Sequence, residues 1–207
     1  MKELKHYIIG GIIFVLAAGT LSHFLYEWTG NSFVVGLFTP VNESVWEHMK
    51  LVFFPMLLYS SLMVPKLKNR YPCISSAYCF GMLLGTVLVP VLFYAYTFAI
   101  GHNVFFLDLA TFAASVIIAF VSVYKLTLSR RTWAFSFLLY ALAAAGIICF
   151  LLFSYNPPPM AIFTPPVTTF SGFPIADIFE ICYTDSNICS GTIFLQDRLW
   201  ERGMEWQ

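Results

Sequence analysis

Five apolar runs constrain this chain more than any other feature of its sequence: residues 7–26, 45–64, 74–100, 104–126 and 132–154. An α-helix rises about 1.5 Å per residue, so about 20 residues cross a hydrocarbon core of about 30 Å. Each run is long enough. The whole chain agrees, with 59% apolar and 11% charged residues, against roughly 45–50% and 25% in soluble domains. The expected fold is an all-α integral membrane protein with five transmembrane helices. The first run follows MKELKH and contains VLAAG, which together resemble a signal peptide. Its apolar stretch nevertheless continues to Leu25, past the usual h-region of about 7–15 residues, so it reads as an uncleaved span.

Orientation follows from the basic residues, because loops rich in Lys and Arg stay cytoplasmic. Lys2 and Lys5 precede the first run, Lys66, Lys68 and Arg70 separate the second from the third, and Lys125, Arg130 and Arg131 separate the fourth from the fifth. Eight of the eleven basic residues thus fall on alternate connections. The N-terminus is expected in the cytoplasm and the C-terminal tail outside, as in a multi-pass protein of the cell membrane whose first partner is the lipid bilayer. A formal net charge of zero gives no basic face on which nucleic acid would release counterions, which excludes that class of partner.

The acids and histidines gather at the opposite end. His23 and Glu27 close the first run, Glu43, Glu47 and His48 open the second, His102 follows the third, and Asp108 lies a turn inside the fourth. Ionisable groups at span ends usually face a bundle interior or an aqueous cavity, so this collar is the default site. The stretch PVNESVWEHMK, residues 40–50, carries most of it. Helical spacing places Glu43, Glu47 and Lys50 on one face and Ser44 and His48 on an adjacent one. Ser44 with Glu47 three residues on also fits a capping box, after the breakers Pro40 and Asn42, with Trp46 at headgroup level. The expected division has Glu43 and Ser44 starting the helix while Glu47 and His48 reach a cluster with His23 and Asp108.

Three classes of function fit this pattern. A structural, sensory or partner-binding membrane protein needs the fewest assumptions, its small-molecule or protein partner being unspecified. A metal-dependent hydrolase acting on a lipid or membrane-associated substrate would use His23, His48 and Asp108 as zinc ligands and Glu47 as general base. Within that class, Ser44 and His48, four apart, also suggest a nucleophile and its base, without a third partner. A transporter of a cation or small polar ligand would use the collar for capture, although the inner halves of the runs carry almost no ionisable residue.

The string LSHFLYEWTGNSFVVGLFTPVNESVWEHMKLVFFPMLLYS, with FFLDLATF and FSYNPPPMAIF, resembles a family of small bacterial multi-pass membrane proteins of unknown function that carry an NESxWEH signature. The resemblance covers about residues 1–170. It implies a membrane protein without an assigned activity, and marks His23, Glu27, Asn42, Glu43, Ser44, Trp46, Glu47, His48, Asp108, Pro157 and Pro158 as motif positions without roles.

The chain divides into a five-span domain (1–154), a proline-rich outer segment (155–176) and a tail (177–207) that departs from the family pattern. Cys182 and Cys189 fall in that tail, where an oxidising exterior permits a disulfide, whereas Cys73, Cys79 and Cys149 lie in or beside spans as packing groups. Gly81 and Gly85 form a GxxxG, and residues 143–146 a small-residue stripe, both suited to close helix contact. Pro55 and Pro90 interrupt helix hydrogen bonding within spans, and a cavity framed by them would open toward the collar.

Overall fold

The computed structural model describes residues 2–165. Its helices are α1 (Lys2–Trp28), a single turn α2 (Phe33–Gly36), α3 (Val45–Leu67), α4 (Ile74–Ile100), α5 (Phe105–Ser129) and α6 (Ser136–Phe153), with 3-10 turns at Trp133–Phe135 and Ala161–Phe163. The long helices are each apolar and long enough to cross a membrane, α6 together with the turn that leads into it. The described residues contain no strand.

Where a helix outlasts or shifts against its apolar run, the reason is local, and so is the reason it stops. Residues 2–6, KELKH, extend α1 inside a sequence of good helix formers, and Glu3 reaches the Arg70 guanidinium at 2.9 Å beyond the far end of α3. α4 closes on Gly101, whose φ of +88° a residue with a side chain rarely adopts. The start of the fifth run forms the 3-10 turn before α6. α2 has no signal in the sequence, since four residues are too few to show a period.

Successive long helices run in opposite directions. Tyr59 donates to Tyr7 O at 2.9 Å, Gly19 lies against the Leu51 carbonyl, and Lys50 meets Ser154. The last turn of α3, with Lys66, and the connections bearing Lys68, Arg70, Arg130 and Arg131 therefore share one end with the start of α1. His23, Glu43, His48 and Asp108 share the other.

α3 is the centre of the bundle. Val52, Phe53, Met56, Met63 and Leu67 have no exposed surface, and more of α3 is buried than of any other span. It is also the least apolar span. A helix screened from lipid by its neighbours can carry polar groups that a lipid-facing helix cannot.

Close approach depends on glycine at two crossings. A Cβ at Gly81 would sit 2.8 Å from the Ala119 carbonyl oxygen, and one at Gly85 2.8 Å from the Ala119 methyl, so the GxxxG is the surface that seats α4 on α5. A Cβ at Gly19 would lie 2.7 Å from the Leu51 carbonyl oxygen. Pro55, four residues after Leu51, has no N–H to give that carbonyl, and α1 presents only a hydrogen to it.

α3 and α4 continue through Pro55 and Pro90. A crevice of about 220 Å³ does open between these helices, lined by Leu57, Ser60, Pro65, Tyr78, Cys79 and Met82. It lies toward the basic end and away from the collar, because Pro65 rather than Pro55 borders it.

After α6 the chain folds back over the bundle. Tyr155 stacks on Phe33 and donates to its carbonyl at 3.0 Å, and Phe163 packs on Trp46 with ring centroids 4.8 Å apart. The boundary at residue 176, Cys182 and Cys189 lie outside the described residues.

Candidate functional site

α3 begins where Ser44 adopts extended backbone (φ −72°, ψ 154°) and its Oγ accepts the Glu47 N–H at 3.4 Å. The reciprocal half of a capping box is absent, because the Ser44 N–H goes to Asn42 Oδ1 at 2.9 Å. Ser44 is buried, so its hydroxyl serves the helix end. His48 meets Ser44 through the backbone: its Nδ1 lies 2.9 Å from Ser44 O. A carbonyl only accepts, so Nδ1 carries the proton and a neutral His48 keeps its lone pair on Nε2. A Ser44–His48 nucleophile and base pairing is not what this geometry shows.

That Nε2 points to the Glu43 carboxylate. Glu43 lies between two imidazoles, 3.5 Å from His48 Nε2 and 3.6 Å from His23 Nε2, and one ligating atom from each residue falls within 4.8 Å of the other two. The imidazoles are half-buried and Glu43 is exposed, which leaves the group open on one side. Both separations exceed the N–H···O mode of about 2.9–3.0 Å. A lone pair facing a carboxylate at this distance calls for a cation between them, a proton or a metal ion. Metal bonds of about 2.0–2.1 Å set tetrahedral ligands about 3.3–3.4 Å apart, near each separation taken singly, and the two run to different carboxylate oxygens, Oε1 toward His23 and Oε2 toward His48.

Helical spacing assigned Glu43 and Glu47 to one face, and the structure exchanges their expected roles. Glu43 precedes the cap residue and stands outside the helix, where the 3.6-residue period does not govern it. Glu47 turns inward instead. Its Oε2 accepts from Lys50 Nζ at 2.7 Å and from the Val41 N–H at 2.9 Å. Lys50 also donates to Ser154 Oγ at 2.7 Å and Gly36 O at 3.0 Å, with Thr39 O at 3.4 Å. Glu47 and Lys50 are 1% and 0% exposed. This node ties α2, the turn after it, α3 and the end of α6 into one knot.

The remaining expected residues divide in the same way. Asp108 is not in the three-residue group: its Oδ1 accepts a short hydrogen bond from Tyr96 Oη on α4. The spans that carry it do touch, since Gly19 of α1 lies against Phe112 of α5, one turn further in. Glu27 is exposed, and Asn42 serves the Ser44 turn. Trp46 lies among Phe150, Phe153 and Phe163, its indole N–H shielded and without a partner among the described residues. Tyr155, just beyond α6, has its hydroxyl pKa raised by desolvation and then by Tyr26 and Glu47, so it stays a neutral donor.

The residue that sequence reasoning undervalued is Lys50. An acid three residues before a lysine inside an apolar run was the available signal, and its weight as a surface pair of a few tenths of a kcal/mol was too small for a fully buried one.

Searches of curated proteins and of solved structures returned no match. The sequence model of a family of unknown function, DUF6512, matches residues 1–173, most of the chain and every candidate span among the described residues. The chain belongs to that family.

Proposed function

We propose that this is a multi-pass protein of the cell membrane that binds a divalent transition metal ion of the zinc class at its outer face, through His23, Glu43 and His48. The observation that carries the reading is the pair of 3.5 and 3.6 Å separations between the Glu43 oxygens and two imidazole nitrogens. Each is too long for a good hydrogen bond and near a tetrahedral zinc edge, His23 against Oε1 and His48 against Oε2, so that one oxygen serves both on a small rotation of the carboxylate. The Ser44 carbonyl supports it by holding His48 in the tautomer whose Nε2 is free to ligate.

Three protein donors leave one tetrahedral position for water or an exchangeable ligand. Glu43 opens that position to solution, which suits a binding or sensing role in which a small molecule or a partner protein supplies the fourth donor. A hydrolase would need a general base beside the bound water, and Glu47, the residue expected there, is held by Lys50. The test is metal content by mass spectrometry after purification in mild detergent, compared with His48→Ala. Near-stoichiometric zinc in the wild type, lost in the variant, is the expected result. Wild-type protein that takes up no zinc, iron or manganese when these are supplied sinks the reading.

A further inference from the structure

We propose that Asp108 is the positioning partner of His23: when a metal occupies the group, the free oxygen of its carboxylate accepts a hydrogen bond from His23 Nδ1. This rests on the metal-binding reading above. A ligating imidazole works best when its second nitrogen donates to a fixed acceptor, which sets the ring and raises its basicity. His48 has such an acceptor in Ser44 O, whereas His23 Nδ1 is shielded from solvent and has no partner among the described residues. The group as it stands is half supported.

The layer structure of the bundle indicates what completes it. The buried stripe of α1 runs through Leu4, Ile8, Gly11, Val15 and Gly19, and His23 is the next position on that face. Gly19 lies against the Phe112 ring of α5. Four residues outward from Gly19 is His23, and four residues outward from Phe112 on the antiparallel helix is Asp108. The two therefore occupy facing positions one turn above a contact the structure contains. Among the described residues Asp108 uses only Oδ1, for Tyr96, which leaves Oδ2 to accept. A donor without an acceptor and an acceptor with a free oxygen thus share one layer, and the Tyr96 bond fixes the carboxylate for the purpose.

The experiment titrates zinc into the full chain in detergent against a chromophoric chelator, for the wild type, Asp108→Ala and Asp108→Asn, with melting of the metal-free forms in parallel. Asp108→Ala should bind zinc about 10–100-fold more weakly. Asp108→Asn, whose side-chain carbonyl still accepts, should recover part of that loss, and the metal-free melting temperatures should stay close to wild type. Equal zinc affinity in all three overturns the proposal while leaving the metal site standing. Alanine and asparagine variants that weaken zinc only in proportion to their loss of metal-free stability also overturn it, by making Asp108 a structural residue. A wild type that binds no zinc removes the site and this inference together.

Discussion

Residues 43–50 supply the centres of two polar groups made from nearly the same materials, and they differ in how completely each is satisfied. The Glu47–Lys50 node is sealed, with the ammonium and one carboxylate oxygen surrounded by partners drawn from four parts of the chain. The His23–Glu43–His48 group is open, its atoms drawn together but spaced beyond good hydrogen-bond distance. A charge with all its partners in place holds a fold together and has nothing left to offer a ligand. A group spaced for an ion it has yet to receive contributes little to the fold and can respond to solution. Perturbations should separate the two groups cleanly.

The largest effect should come from the sealed node. Lys50→Ala leaves a buried carboxylate without its counter-charge and should cost about 3–5 kcal/mol, read as thermal unfolding in mild detergent. The double change Glu47→Leu with Lys50→Met should cost much less, since no charge is then stranded. Equal losses would show that Lys50 matters for its packing alone. The open group should act second: zinc at about 100 times its dissociation constant should stabilise the wild type by about 2.7 kcal/mol, and Glu43→Ala should abolish that gain without lowering metal-free stability.

Ser44 belongs to both groups, and Ser44→Ala sharpens the contrast. Losing the cap should cost about 0.5–2 kcal/mol, whereas zinc affinity should hold, because His48 is oriented by the Ser44 backbone. A collapse of zinc binding in this variant would restore a functional role for the hydroxyl. Glu27→Gln, on an exposed position at the same end, should change stability by no more than about 0.5 kcal/mol and leave zinc binding as it was.

The helices were legible in the sequence because the membrane demands long apolar runs, and the third is recovered to the residue. Their packing was partly legible: GxxxG announced a close contact on α4 without naming α5 as its partner, and the Gly19 crossing depends on where Pro55 strands a carbonyl, which no local pattern reveals. The collar could be assigned to one end, but its division into two groups could not be read. Periodicity holds only inside a helix, and Glu43 lies one residue before the cap. The acceptors of Lys50 come from backbone carbonyls and a serine more than a hundred positions away, and neither leaves a mark in the sequence beside it.

That last separation bears on how the protein is made. Lys50 and Ser154 are 104 residues apart, which at about 5–20 residues per second of synthesis is a delay of roughly 5–20 seconds. For that interval the lysine is without its most distant partner. Glu47, Gly36 and Thr39 precede it on the ribosome, so the charge arrives already escorted, and the serine closes its bond only after α6 has been made. Order of appearance along the chain thereby becomes an order of assembly.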